Sequence, residues 1–413
     1  MDQLPDDVLV AVMQFLDVED LLACRLVCRR LCVLVLDRDV WRHRSLCDGD
    51  FDASAVLRLA PCLDTLDVGG WDLAVTTTRC AVATLKLFSL STGSPHNVTV
   101  DTLALAFALA LRNQESLGRL RRLQLELPTF RPAPATDALL RTVASCSGLK
   151  SLEVTGYLPK FTHYIQHGPP MPSLTYFQCS VNNNSASFVH TILAGHAATL
   201  EEVNLVIDAG LGFVETATTA ELLGTMDRLH SLRCKYLSPT DDCTVLVEAL
   251  LSSVRPHLER LALLGVHVVR PLLRRLPSLP ALRHLDLDAE PVDEMLKSIN
   301  PATAPALTLL EVVMLGQCRH AWIHGAAVKA TLTANPKLHI QLWCNSDDKC
   351  VPQNCETCVV GCHQEVQWDE VVRMGLYSHD PDMCPSPEDH TDNTDWQRSY
   401  HPTPDVPCTW IRL

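Results

Sequence analysis

The sequence predicts an α/β fold in which one parallel strand and one helix alternate in a repeat array, behind a short helical N-terminal segment. A Leu-x-x-Leu-x-Leu pattern recurs along the chain, and from Leu120 to Leu307 its starts are 29, 25, 26, 29, 29, 24 and 25 residues apart. The stretches between the patterns have the apolar spacing of helices, as in the segments that begin at Asp241 and Val292. The 413 residues are 47% hydrophobic, which is enough to bury a large core.

The N-terminal segment predicts two short helices and the start of a third. Pro5 suits the first turn of a helix, and Asp6 and Asp7 suit the positive end of its dipole. An apolar stripe follows at Val8, Leu9, Val12, Phe15 and Leu16. Asp17 is placed to cap a second helix, which we predict to carry Leu21, Leu22, Cys24, Leu26, Val27, Cys28 and Leu31. This helix is apolar over more than one face, so we expect its surplus surface to pack against another protein or the next domain.

These residues resemble an F-box. The resemblance covers about residues 3 to 46 and rests on Leu4-Pro5, the spacing of the apolar stripe, Asp20-Leu21, Val27-Cys28-Arg29 and Asp39-x-Trp41. It implies that an F-box at residues 1–46 docks on the Skp-type adaptor of a cullin–RING ubiquitin ligase. The implied adaptor-binding residues are Leu4, Pro5, Val8, Leu9, Val12, Leu16, Leu21, Val27, Cys28 and Trp41. The alternative is a plain helical cap on the repeats, which would not require Leu-Pro, Val-Cys-Arg and the trailing tryptophan together.

The repeats themselves resemble a leucine-rich-repeat solenoid of the strand–helix kind, and we place this domain at residues 47–343. Pattern starts lie at Leu63, Val82, Leu120, Leu149, Leu174, Leu200, Leu229, Leu258, Leu282 and Leu307, and the fourth and sixth positions are apolar in each. The ninth position departs from the family pattern of Asn or Cys, since only Asn182 fits. The register of individual turns therefore stays open, above all between Val82 and Leu120.

Residues that alternate with the core leucines predict a polar concave face, because successive side chains of a strand point to opposite sides. The candidate substrate-binding residues are Tyr176, Gln178, Glu202, Asn204, Arg233, Lys235, Arg260, His284 and Asp286. Arg233, Lys235 and Arg260 would form a basic patch, and acidic residues follow it. This pattern favours a charged protein segment as substrate, acidic or phosphorylated. The alternative is that a solvated sheet face carries polar residues whatever it binds.

A cysteine-rich segment follows the predicted strand at Leu338, Ile340 and Leu342. Cys355-x2-Cys358 has the spacing of a zinc knuckle, and Cys350, Cys362 or His363 could supply further ligands. Our candidate metal ligands are Cys350, Cys355, Cys358 and Cys362, with zinc as the ion. A capping loop with packed thiols, or a redox role, remains open as an alternative. We place a Cys-rich cap at residues 344–377 and an acidic, proline-containing, mostly disordered tail at residues 378–413.

Charge and hydropathy exclude several classes of partner. The net charge is −14, and residues 344–413 hold 13 acidic against 4 basic residues, so we expect no nucleic acid partner. The longest apolar run, which begins at Leu103, is about half of what would span a bilayer, so we expect no membrane segment. The N-terminus lacks a basic targeting region, which favours the cytoplasm, the nucleus or both, where thiols stay reduced.

The sequence therefore predicts a non-catalytic substrate-recognition adaptor of a cullin–RING ubiquitin ligase that requires no cofactor. Cys362 beside His363 would be the candidate nucleophile of an enzyme, but adjacent residues rarely place a thiol and its base in productive geometry. The alternative function is a leucine-rich-repeat scaffold for protein interactions without a link to ubiquitination.

Overall fold

The structure, a computed structural model, forms two compact units, Met1–Leu200 and Glu201–Leu413. It describes residues 4–47, 53–69, 74–88, 100–127, 134–156, 158, 171–208, 211–237, 247–248, 255–265, 270–289, 291–314, 322–344, 373–380, 384 and 408–413. Each unit alternates strands and helices, so the predicted α/β repeat fold is confirmed. Among the helices in these ranges, none combines the length and apolar composition that crossing a bilayer requires.

The first unit begins with four short helices and continues as a parallel sheet. Its helices are α1 (Asp6–Met13), α2 (Val18–Val27), α3 (Arg29–Leu34), α4 (Arg38–Trp41), α5 (Ala53–Leu59), α6 (Ala74–Thr77), α7 (Val100–Leu117), α8 (Pro134–Ser145) and α9 (Ala186–His196). Its strands are β1 (Ser45–Leu46), β2 (Cys62–Val68), β3 (Ala81–Phe88), β4 (Arg122–Leu127), β5 (Ser151–Gly156) and β6 (Tyr176–Val181). They pair in chain order, each parallel to the next.

The core of the first unit is a ladder of apolar side chains that pair across neighbouring strands. The row consists of Leu46, Leu66, Leu85, Leu123, Leu152 and Phe177. None of these side chains is more than 3% exposed. A fully buried leucine contributes about 1.5 to 3 kcal/mol by leaving water, so this row is a main source of the unit's stability. From Leu66 onward, these residues are the fourth positions of the predicted repeats, so the strand pairing gives the register that the sequence left open.

The second unit continues the same strand–helix alternation. Its helices are α10 (Phe213–Gly224), α11 (Arg270–Arg275), α12 (Asp293–Ser298) and α13 (Ala326–Ala334). Its strands are β7 (Glu202–Ile207), β8 (Ser231–Tyr236), β9 (Arg260–Leu264), β10 (His284–Leu287), β11 (Leu309–Met314), β12 (His339–Cys344), β13 (Arg373–Tyr377) and β14 (Thr409–Arg412). Strands β7 to β12 are parallel, β13 runs antiparallel to β12, and β14 pairs parallel with β13.

A second apolar ladder holds this unit together. Its row consists of Val203, Leu232, Leu261, Leu285, Leu310 and Ile340, none more than 2% exposed. Main-chain groups just before the strands join neighbouring turns, as where the His230 carbonyl accepts from the amides of Glu259 and Arg260 at 2.9 Å each. This main-chain ladder connects turns that lack the usual asparagine. Asn182, which does fit that pattern, instead accepts from the amide of Ser185 at the start of α9.

Several elements differ from the sequence expectation or extend it. The predicted second helix ends at Val27, because Cys28 is extended and its sulfur accepts from the amide of Leu31 at 3.5 Å, which starts α3. The long gap between Val82 and Leu120 holds the 18-residue α7. The helix predicted from Val292 is confirmed as α12.

One predicted helix lies mostly outside the described residues, and two observed strands were not predicted. The helix predicted from Asp241 lies outside the described residues except for two helical positions, 247–248. Strands β13 and β14 were not predicted from the sequence, which placed their residues in the cap and in the tail.

Candidate functional site

The first helix separates its apolar side chains onto two faces. Leu9 is 6% exposed and Met13 is 3% exposed, so both belong to the core. Val8 and Val12 are 41% and 52% exposed, and Phe15, in the turn that follows α1, is 89% exposed. The single stripe predicted from the sequence is therefore split, and part of it faces solvent.

The second and third helices add to this solvent-facing apolar area. Leu26, Val27 and Val33 are 88%, 70% and 70% exposed, whereas Leu21 and Leu31 are buried. The exposed parts of these side chains gain no hydrophobic stabilisation within the chain. Burying them in a partner would therefore stabilise the complex. We call Val8, Val12, Phe15, Leu26, Val27 and Val33 the docking surface.

Polar contacts fix the arrangement of these helices. The Arg44 guanidinium donates to the carbonyls of Met13 and Leu16 at 2.9 and 2.6 Å, so it closes the C-terminal end of α1. Burial lowers the pKa of Arg44, and Asp17 acts in the opposite direction. The Trp41 indole N–H donates to the Val35 carbonyl at 2.6 Å. These contacts hold α1 and α4 in place without using the docking surface.

An ion pair ties the beginning of α1 to α3. Arg30 lies 2.6 Å from Asp6 and also donates to the Leu4 carbonyl. Asp17 caps α2 as predicted, accepting from the amide of Asp20 at 2.7 Å. The Leu4–Pro5 corner is thus held against α3 while the Leu4 side chain stays 44% exposed.

The predicted adaptor-binding residues divide into an exposed and a buried set. Those accessible from solvent are Leu4, Pro5, Val8, Val12, Leu16, Val27 and Cys28. Leu9, Leu21 and Trp41 lie in the core, where they support the helices instead of meeting solvent. Sequence reasoning left Phe15, Leu26 and Val33 out of the adaptor-binding set, although the helical positions of Phe15 and Leu26 were available as a signal.

The polar sheet face of the first unit carries a hydrogen-bonded set of side chains. The Tyr176 hydroxyl donates to Gln178 at 2.8 Å, and the Gln124 amide donates to Glu153 at 3.0 Å. Glu153 and Gln178 pair across β5 and β6. All four side chains are half-buried, so this face offers polar groups that are already positioned by one another.

On the first strands of the second unit, β7 to β9, the polar face carries charged and polar side chains that are accessible to solvent. Glu202, Asn204 and Arg233 are half-buried and Arg260 is exposed. We call these four residues the accessible strip. Asn204 pairs with Arg233 across β7 and β8, so the strip follows neighbouring strands as predicted.

Lys235, the third member of the predicted basic patch, differs from its neighbours. It is only 9% exposed. Burial lowers its pKa, Arg233 lowers it further, and Asp288 raises it. Lys235 is therefore a poor candidate for contacting a partner directly, and Arg260 is the better one.

The same face becomes a buried polar network from β10 onward. His284 Nε2 lies 2.8 Å from Glu311 Oε1, and the Trp343 indole donates to Glu311 Oε2 at 2.9 Å. Arg373 donates to Gln341 at 2.6 Å and stacks on Trp343 with its guanidinium carbon 5.1 Å from the ring centre. The predicted residues His284 and Asp286 are 8% and 1% exposed, so they serve the interior of this unit.

Three buried thiols of the described repeats are not activated. Burial raises the pKa of Cys80, Cys146 and Cys234 to about 12 in each case, with minor contributions from neighbouring charges at the first two. A thiol with such a pKa stays protonated near neutral pH and is a weak nucleophile. The predicted metal ligands Cys350, Cys355, Cys358 and Cys362 lie outside the described residues, as does the Cys362–His363 pair.

Comparison with known proteins supports the N-terminal assignment. Residues 1–47 match the F-box-like family. No curated protein matches the sequence. Among solved structures, the leucine-rich repeat-containing protein LegL7 from Legionella pneumophila is similar with a TM-score of 0.33 and 13% identity, over 77% of this chain and 96% of that chain. The chain therefore combines an F-box-like region at residues 1–47 with a strand–helix repeat fold.

Proposed function

We propose that this protein is a substrate-recognition adaptor of a cullin–RING ubiquitin ligase. The observation that carries the proposal is the docking surface, a set of exposed apolar side chains on helices that match the F-box-like family. An apolar surface on a short helical region is typical of a protein–protein contact. In this proposal a Skp-type adaptor covers it and links the chain to the cullin and RING subunits.

The repeats would hold the substrate. The accessible strip offers positive charges at Arg233 and Arg260 and a polar group at Asn204, which suit an acidic or phosphorylated protein segment. Holding this segment near a charged conjugating enzyme raises its effective concentration, so ubiquitin transfer needs no chemistry from this chain. The role requires no cofactor and belongs in the cytoplasm or nucleus, where such ligases act.

A matched pair of variants tests the docking step. Val12→Glu places a charge on the docking surface, and Ser54→Glu places the same charge on an exposed position of α5, outside residues 1–47. Since Val12 is 52% exposed, its substitution should leave the fold intact. We expect Val12→Glu to weaken binding of a purified Skp-type adaptor by about 2 kcal/mol or more, roughly thirtyfold in Kd, by isothermal titration calorimetry.

Ser54→Glu should bind the adaptor as the unmodified chain does. Replacing Leu4 and Pro5 by alanine should also weaken binding, because both lie at the exposed corner held by Arg30. Equal adaptor affinity of Val12→Glu and Ser54→Glu would contradict the proposal and favour a repeat scaffold whose helices only cap the sheet.

A further inference from the structure

Three metal-ligating side chains meet where β12 begins. His339 is the first residue of β12, His379 follows β13 by two positions, and Cys384 lies five residues further on. One ring nitrogen of each histidine and the sulfur of Cys384 all lie within 4.8 Å of one another. The fold thus places three donor atoms close together, although the first and the last residue are 45 positions apart in the chain.

The His339 ring is oriented for metal binding. Its Nδ1 lies 3.0 Å from the Thr308 carbonyl, which can only accept, so Nδ1 carries the proton. In the neutral ring, Nε2 then carries a lone pair. Nε2 lies 3.4 Å from Cys384 Sγ. A histidine ligand held through its other nitrogen by a carbonyl is the usual arrangement at protein metal sites.

Aromatic rings surround His339, while His379 and Cys384 are half-buried. His339 is fully buried, and its ring centre lies 5.8 Å from that of Trp410 and 6.5 Å from that of Tyr377. The ring centres of His339 and His379 are 4.8 Å apart at nearly a right angle. Such a surrounding limits access of water and strengthens the attraction between a cation and its ligands.

We propose that His339, His379 and Cys384 bind one zinc ion. Imidazole nitrogen and thiolate sulfur are the donors that zinc takes in tetrahedral sites. With zinc–nitrogen and zinc–sulfur bonds of about 2.0 and 2.3 Å, the two ligand atoms of a tetrahedral site are about 3.5 Å apart. The 3.4 Å between Nε2 and Sγ is close to this separation. Three protein ligands leave the fourth position to water or a further donor.

Zinc at this position would join two segments of the second unit, the start of β12 and the segment after β13. The Cys384 thiol releases its proton to solvent on binding, and the thiolate and two neutral imidazoles then hold the segment after β13 against the start of β12. The site shares no ligand with the four cysteines predicted from the sequence. It concerns the stability of the second unit, so it does not depend on the proposed role in ubiquitination.

The test uses the full chain with Cys350, Cys355, Cys358 and Cys362 all replaced by serine, which removes the competing cysteines. We expect this variant to bind one zinc per chain by elemental analysis. Cobalt in place of zinc should show the charge-transfer absorption of a single thiolate. Adding Cys384→Ser or His379→Asn should lower zinc affinity at least about tenfold in competition with a chromophoric chelator, whereas Cys47→Ser should not.

Alkylation of Cys384 gives a readout that needs no substitution at the site. Zinc should slow modification of Cys384 by iodoacetamide, measured by peptide mass spectrometry, and chelation should restore the rate. Absence of stoichiometric zinc in the four-serine variant, or unchanged alkylation of Cys384 with and without zinc, would overturn the proposal.

Discussion

The polar face of the second unit has two parts that are alike in sequence and opposite in exposure. On β7 to β9, Glu202 is half-buried and Arg260 is exposed, so both meet solvent. On β10 and β11, Asp286 and Glu311 lie on the same face, in register with Asn204 and Arg233, and are only 1% and 2% exposed. Strand alternation decides which face a side chain points to, whereas neighbouring side chains decide whether that side chain can meet a partner.

The neighbours responsible come from the C-terminal strands. Trp343 of β12 takes one carboxylate oxygen of Glu311, and Arg373 of β13 covers Trp343. A buried polar group must find such partners, because leaving it without them costs about 1 to 3 kcal/mol. The acidic residues of this part are thus structural, and in the proposed function the substrate would meet the accessible strip instead.

The largest expected effect is at Glu311. Glu311→Ala should destabilise the protein by about 3 to 4 kcal/mol, because it leaves His284 and the Trp343 N–H buried without their shared partner. Glu202→Ala, on the accessible part, should change the free energy of unfolding by less than about 0.5 kcal/mol. Urea unfolding of both variants checks this. Similar losses of unfolding free energy in the two variants would contradict the distinction between the buried and the accessible part of the polar face.

The burial of His196 in the first unit should make the stability of the protein depend on pH. His196 Nδ1 accepts from the amides of Ser173 and Leu174 at 3.0 and 3.2 Å, and burial lowers the pKa of His196 to about 4. Above pH 6.5 the ring is neutral in both states. As the pH falls from 6.5 to about 4 the unfolded chain gains a proton that the folded chain does not, so stability should fall by about 2 to 3 kcal/mol.

The thermal midpoint, recorded between pH 4 and 7.5, measures this dependence. His196→Asn can still accept from a main-chain amide and should flatten the profile, whereas His230→Asn, at a more exposed position, should not. An unchanged profile in His196→Asn would show that another group carries the dependence.

Gly375 tests the packing of the C-terminal strands. A Cβ at this position would lie 2.2 Å from the Trp410 ring, so Gly375→Ala should displace that ring at a cost of about 2 kcal/mol. Calorimetric unfolding should show this loss, and Gly118→Ser supplies a control, since Gly118 has positive φ but open space around it. Gly118→Ser shows the cost of a strained backbone alone, which Gly375→Ala does not carry because Gly375 has no positive φ. No loss of stability in Gly375→Ala would contradict the packing of the Trp410 ring on this position.

The smallest effect on stability is expected at Arg260, where the effect on binding should be large. Arg260→Glu should leave the thermal midpoint within about 1 °C, since the side chain is exposed. It should abolish capture of acidic or phosphorylated partners, which quantitative proteomics of purified complexes would detect. Reversal of Lys235 is a weaker test, because Lys235 is buried and its loss would alter stability as well.

Much of the fold could be predicted from the sequence because the repeat pattern is local and regular. Leu85 and Leu123 hold the same position of the predicted repeat, and the structure pairs them although α7 separates them and the sequence left the register open there. Exposure could not be predicted in the same way. The burial of Asp286 and the meeting of His339 with Cys384 depend on chain segments that are distant in sequence and carry no repeat pattern.

The most direct test of the account compares Val12→Glu and Arg260→Glu in one experiment. Each full-length variant is expressed in cells and purified, and the co-purifying Skp-type adaptor, cullin and other proteins are quantified. The account predicts that Val12→Glu loses adaptor and cullin but keeps the acidic partners, and that Arg260→Glu keeps adaptor and cullin but loses those partners. If both variants retain adaptor and cullin at the level of the unmodified chain, the docking surface does not serve a ubiquitin ligase and the central claim is contradicted.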